Sequence, residues 1–320
     1  MRSPSEFRRS MTAPFLVIVI FLLLLLTRSV DTVLLTRENE YVITIVLELL
    51  IFLVPAAAYL KITGRPVSQI RIRFFGVGHL LLVLSAVIVL ACVTLLMEYA
   101  AVGYGVLEDN YELYGIFVSK TDGSVGNNLY VVLAYAVLPA VCEEFVFRGV
   151  LCSEYERRSA VVSVIMPAIF FAMIHFDISL FPAYFAAGTV LALTYYSTQS
   201  VFAAMTVHAC YNLMAVFGRP YIQTVYDLGG EKLFLFIITA AFLLFAFIFC
   251  AEAARLYKIY SVKDVSPAYR EMDPPYTADP DGSALAEVAA RFPRFAAALE
   301  SFFAPPALIC YLIYTLAVVF

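Results

Sequence analysis

The sequence predicts an all-α polytopic membrane protein, and three observations predict it. Hydrophobic residues fill 62% of the 320 positions and charged residues only 14%, well under the roughly 25% of a soluble domain. Mean hydropathy is +0.88. The apolar residues also gather into runs of about 20, the length that carries a helix across a bilayer core. A net charge of −4 without any basic stripe argues against a nucleic-acid partner. The six cysteines (Cys92, Cys142, Cys152, Cys210, Cys250 and Cys310) lie mostly inside apolar runs and lack CxxC or CxxH spacing. They read as small buried hydrophobes rather than a disulfide framework or zinc knuckle.

The first run, 12–30, follows Arg2, Arg8 and Arg9 and is trailed by no small-residue cleavage site, so it reads as a retained first helix. Seven more spans are expected at about 41–60, 77–98, 127–152, 159–177, 179–197, 200–217 and 233–252. The total is about eight transmembrane helices, and the tail 302–320 is a ninth candidate that can also be read as a hairpin, a re-entrant segment or a cut end. Between the eighth span and the tail, 258–301 is charged and carries Pro267, Pro274, Pro275 and Pro280. It reads as an aqueous linker leading into a short surface amphipathic helix. The chain thus divides into N-terminal helices with an acidic extracytoplasmic loop (1–126), a polar-motif core (127–217), an eighth helix (218–257), the linker (258–301) and the apolar tail (302–320).

Lysine and arginine in short loops set the orientation. Loop 61–73 carries Lys61, Arg65, Arg71 and Arg73, and loop 153–158 carries Arg157 and Arg158; loop 98–126 sets five acids against Lys120 alone. This alternation places the N-terminus in the cytoplasm, and a bacterial cell membrane and the endoplasmic reticulum fit equally. Tyr99, Tyr104, Tyr111 and Tyr114 in the acidic loop read as interfacial anchors. His79, beside the basic loop and without an i+4 partner, reads as interfacial.

Three patterns place ionisable groups inside spanning segments, where they are costly and mark function. They are Glu143-Glu144-Phe-Val-Phe-Arg148, Phe171-Ala-Met-Ile-His175 and His208-Ala-Cys-Tyr-Asn212. Glu143 and His175 each stand 16 residues from the turn near Ser159, about 24 Å along their helices, so an antiparallel pair brings them to one depth. His208 is only about 13 Å past its own turn, a gap that closes if the polar hairpin 153–158 projects beyond the membrane. Positions i and i+4 are helical neighbours, so Glu144 pairs with Arg148, Phe171 lies below His175, and His208 lies over Asn212. Glu143, about 100° round the axis, is left to face the histidines. Phe171 reads as core packing, and Glu48 of the second span as a residue that lines the same cavity, caps a polar contact or snorkels.

This set supports water activation: a buried carboxylate removes the proton, while imidazole and carboxamide groups stabilise the oxyanion. Glu143, His175 and His208 equally make a three-ligand zinc shell with an open water position, although no HExxH is present. A proton-coupled carrier also places Glu, His and Arg at the membrane midplane.

Together the three patterns resemble the CPBP family of intramembrane proteases, also called the CAAX-protease or Abi family, whose signature is EExxxR, then FxxxH, then HxxxN or HxxxD. Every position matches, over about residues 130–215. The resemblance implies an intramembrane endopeptidase acting on a membrane-anchored or prenylated protein or peptide, as in CAAX trimming or bacteriocin and peptide maturation. It makes Glu143 the base, with His175, His208 and Asn212 polarising the carbonyl and Glu144 and Arg148 supporting them. It favours a glutamate mechanism without metal over the zinc alternative, and it admits a non-catalytic immunity or scaffold member.

Overall fold

The computed structural model describes residues 12–34, 40–103, 125–156, 159–262 and 293–319. The expected acidic-loop tyrosines Tyr104, Tyr111 and Tyr114, loop residues Arg157 and Arg158, and most of the 258–301 linker lie outside these residues. All regular structure among the described residues is helical. In chain order the helices are α1 (Ala13–Leu34), α2 (40–63), α3 (Leu80–Gly103), α4 (125–155), α5 (Ala160–Met173), α6 (Phe181–Thr198), α7 (Val201–Phe217), α8 (Arg219–Val262), α9 (Pro293–Phe302) and α10 (Pro305–Val319). The protein is an all-α polytopic membrane protein.

By length and composition, four helices are sufficient to cross a bilayer: Tyr41–Thr63, Val77–Ala101, Asn128–Tyr155 and Pro220–Tyr260. The helices at Ala13–Arg28, Ala160–Met173, Val201–Phe217 and Pro305–Val319 are shorter. Two of these, α5 and α7, carry the polar motifs. Irregular backbone at membrane depth is tolerated where protein rather than lipid surrounds it; α5 is packed by α4, α6 and α9, and α7 by α3, α4 and α6.

Local chemistry fixes the helix ends. Gly64 stops α2 in the left-handed conformation (φ 66°), and its amide bonds the Leu60 and Lys61 carbonyls, a C-terminal cap that glycine reaches without strain. Ser159 and Ser200 cap α5 and α7 by accepting the Val161 and Ala203 amides. Pro182 opens α6, where a missing amide costs nothing. Helix α4 is irregular, with π turns at Leu133–Val137 and Phe145–Cys152 on either side of the segment carrying Glu143 and Glu144. Such turns often accompany functional sites. Helix α8 is longer than the expected eighth span and breaks at Gly230 (φ 67°, ψ −169°).

One end of the bundle is tied by polar contacts among the basic segment 64–79 and the helix turns around it. Arg65 pairs with Glu154 at 2.6 Å, Arg71 grips Glu156 at 2.7 and 2.9 Å, and the Val201 amide donates to the Arg71 carbonyl. His79, which has no i+4 partner, meets the Tyr260 hydroxyl through Nε2 at 2.7 Å. Within the polar hairpin, Glu154 and Tyr155 are buried against the bundle, Glu154 held by Arg65 and by the Tyr59 hydroxyl, which donates to it at 2.8 Å.

The tail settles as α10, a helix packed along α1. The Cys310 thiol reaches the Pro14 carbonyl, and Tyr314 lies against Phe176 and Phe181. Ahead of it α9 packs on α5 instead of lying free on a surface.

Candidate active site

Helix α4 contributes the carboxylates and the arginine. Glu144 and Arg148 are fully buried, and Arg148 Nη1 donates to Glu144 Oε1 at 2.6 Å, the expected i,i+4 pair. The second guanidinium nitrogen, Nη2, donates to the Gly188 carbonyl of α6 at 2.9 Å. The guanidinium plane lies 4.7 Å from the Phe171 ring centroid, within cation–π range. Phe171 also meets Phe147 edge-on at 5.4 Å. This places Phe171 level with Arg148, so His175, one turn further on, is level with Glu143 and Glu144, as the depth argument required.

His208 of α7 joins the same carboxylate: its Nδ1 donates to Glu144 Oε1 at 2.9 Å. This corrects the division of partners read from helical angles. Glu144 holds both Arg148 and His208, and Glu143 forms no hydrogen bond to either histidine. A single carboxylate oxygen accepts from more than one donor, so the Oε1 that holds Arg148 also receives His208. Helix α7 packs on the irregular part of α4, which brings His208 to that carboxylate.

Glu143 is 9% exposed, and its Oε2 is buried without a protein partner. Glu48, on α2 packed against this part of α4, likewise has an Oε2 buried without a protein partner. Buried polar atoms without partners are uncommon, and Glu144 Oε2 is a third.

His175 follows the end of α5. Its Nδ1 donates to the Phe171 carbonyl at 2.9 Å. Phe176 then turns left-handed (φ 49°), a conformation rare for a bulky side chain. Phe21 of α1 at 5.5 Å and Tyr314 of α10 at 6.2 Å enclose that ring. Phe171 stands between the two histidines, 5.2 Å from His175 and 5.7 Å from His208 by ring centroids. It is core packing, as expected, and also a wall of the site. Asn212, one turn past His208, donates from Nδ2 to the Ala136 carbonyl beside the first π turn, at 3.4 Å.

Both histidines therefore carry hydrogen on Nδ1, because a carbonyl and a carboxylate only accept. Among the described residues no three His, Cys, Asp or Glu side chains gather closely enough to share a metal ion.

Two contributors carried no signal in the three patterns. Tyr184 of α6 stacks on His175 with centroids 3.8 Å apart, and Gly188 receives Arg148. Helix α6 is apolar throughout, so nothing in its composition distinguishes these positions from core.

Residues 125–214 match the family model described as Rce1-like, type II CAAX prenyl endopeptidase Rce1-like. Comparison with curated proteins and with solved structures found no match. The matched residues carry all six motif side chains, and over that segment the chain is similar to the CAAX protease family.

Proposed function

We propose that this chain is an intramembrane endopeptidase that cleaves a membrane-anchored or prenylated protein or peptide by glutamate-activated water. The observation that carries the proposal is the buried chain Arg148–Glu144–His208, with the unpaired Glu143 carboxylate beside it.

In this scheme Glu143 is the base. Of the two adjacent carboxylates it alone has no arginine or histidine attached, so its oxygen is available to take a proton from water. The resulting hydroxide attacks the peptide carbonyl carbon, and the carbonyl oxygen becomes an oxyanion. Glu143 then returns the proton to the amide nitrogen as the C–N bond breaks. Glu144 acts on His208 as a buried acid acts on the histidine of a hydrolytic triad: it fixes the tautomer and the ring plane, directing Nε2 away from α4. His175 is fixed in the same tautomer by the Phe171 carbonyl. With its hydrogen on Nδ1, each ring turns the Nε2 lone pair to the site, where it accepts from and orients the attacking water, and the Asn212 carboxamide donates to the oxyanion. Arg148 neutralises Glu144 inside the bundle.

The matched family supports CAAX-type substrates, and the apolar surround supports a lipid-anchored chain end as the portion bound. We further propose that no metal takes part, so cleavage should survive chelators in metal-stripped protein. The test of function is a comparison of membrane-associated peptides from cells expressing the wild-type protein or Glu143→Gln. The proposal expects peptides that arise only with the wild type. Identical peptide profiles from the two would overturn it in favour of a carrier or scaffold.

A further inference from the structure

Helix α6 bears none of the family motif residues, yet it supports both halves of the site from one face. Gly188 and Tyr184 are one turn apart. The first accepts Arg148 on its carbonyl and the second covers the His175 imidazole. The close approach of α5 and α6 explains how. A Cβ on Gly188 would lie 2.8 Å from Ala168 Cα and 3.0 Å from its Cβ, so only glycine allows the two backbones this near. Four residues along the antiparallel pair from that contact Ala172 comes opposite Tyr184, whose ring reaches the His175 imidazole just past the end of α5.

The imidazole of His175 is then restrained on three sides. Its Nδ1 is tied to the Phe171 carbonyl, the Phe171 ring abuts it at 63°, and the Tyr184 ring lies nearly parallel, 16° from coplanar. Only the Nε2 edge remains without a protein partner. A histidine beyond the last turn of its helix has a free side-chain rotation that the helix backbone does not limit, and one hydrogen bond leaves the ring free to pivot about it. A face-to-face aromatic neighbour removes that pivot.

We propose that Tyr184 is a positioning residue for the reaction, clamping the His175 ring so that Nε2 holds one direction into the site. This rests on the reading of His175 as a catalytic group. The stack requires an aromatic ring at position 184, so Tyr184→Phe preserves it and Tyr184→Leu removes it.

The test uses the full-length protein in lipid nanodiscs, labelled with ¹⁵N and ¹³C at its three histidines. In the wild type and in Tyr184→Phe the His175 ring protons should be shielded by the stacked ring, with one tautomer protonated at Nδ1. In Tyr184→Leu they should move downfield and the nitrogen shifts should approach a tautomer average. In cleavage, Tyr184→Leu should lower kcat about 10–100-fold with little change in KM, Tyr184→Phe should match the wild type, and adding Tyr184→Leu to His175→Ala should cost nothing more. An unchanged His175 spectrum in Tyr184→Leu, or wild-type kcat, would overturn the clamp. Should Tyr184→Leu not fold, an unshielded, averaged His175 in the wild type overturns it alone. The spectra need no substrate, so failure of the protease reading would show as absent cleavage with the shielded signature intact.

Discussion

Helix α4 carries two buried carboxylate–arginine pairs ten residues apart, and they serve different ends. Glu144 meets Arg148 and Glu154 meets Arg65, each at 2.6 Å and each carboxylate fully buried. Beside Glu154 stands the Tyr59 hydroxyl, itself bonded to Thr12 at 2.9 Å, so the group ties α1, α2 and α4 into one corner. Around Glu144 the remaining partner is His208, and an unpaired carboxylate stands next to it in the chain. The first pair is a structural latch. In the proposed mechanism the second serves the reaction, because it orients a histidine beside a free base. A buried ion pair is thus no signature of function by itself, since replacing one with apolar residues is often neutral or stabilising.

The largest expected effect follows from that contrast. Replacing both members of the latch, Arg65→Met with Glu154→Leu, should leave cleavage near wild type. The matching replacement at the site, Arg148→Met with Glu144→Leu, should leave a folded protein without measurable cleavage. A quantitative cleavage assay on the two purified double variants decides this. If both are active, Glu144 has no role in the reaction.

Removing one partner is a different perturbation. Arg148→Ala strands Glu144 in the bundle and should destabilise by about 3–5 kcal/mol, read as a fall in the unfolding midpoint in detergent. Next in size is Gly188→Ala, which forces α5 and α6 apart; overpacking of this kind costs about 1–3 kcal/mol, and cleavage should fall because Arg148 and His175 both lose their support. The smallest change is Tyr59→Phe. It removes one hydrogen bond from the latch, should cost about 1 kcal/mol, and should leave cleavage unchanged.

Much of this was legible in the sequence because hydrophobic length and i,i+4 spacing are local properties. The helices fall close to the apolar runs, and Glu144 meets Arg148 as the spacing requires. The assignment of His208 to Glu143 gave each carboxylate its own partner, whereas one Glu144 oxygen accepts from both Arg148 and His208. The π turns around this segment leave no mark in hydrophobic length or spacing. The hairpin at 153–158 reads as polar and therefore external, yet Glu154 is buried by Arg65, a residue nearly ninety positions away. Tyr184 and Gly188 were illegible for the opposite reason. Their importance lies in what they touch, and in an apolar helix every residue type fits a core explanation equally well.

The central claim is that adjacent carboxylates have different tasks, Glu143 as base and Glu144 as the anchor of His208 and Arg148. The measurement that tests it most directly compares Glu143→Gln and Glu144→Gln, recording cleavage and unfolding midpoint on the same purified samples. Glu143→Gln should lose about 10²–10⁴-fold in cleavage rate while keeping the wild-type midpoint, and Glu144→Gln should lose both activity and stability. Cleavage persisting in Glu143→Gln, or an equal loss of stability in the two variants, would contradict the account.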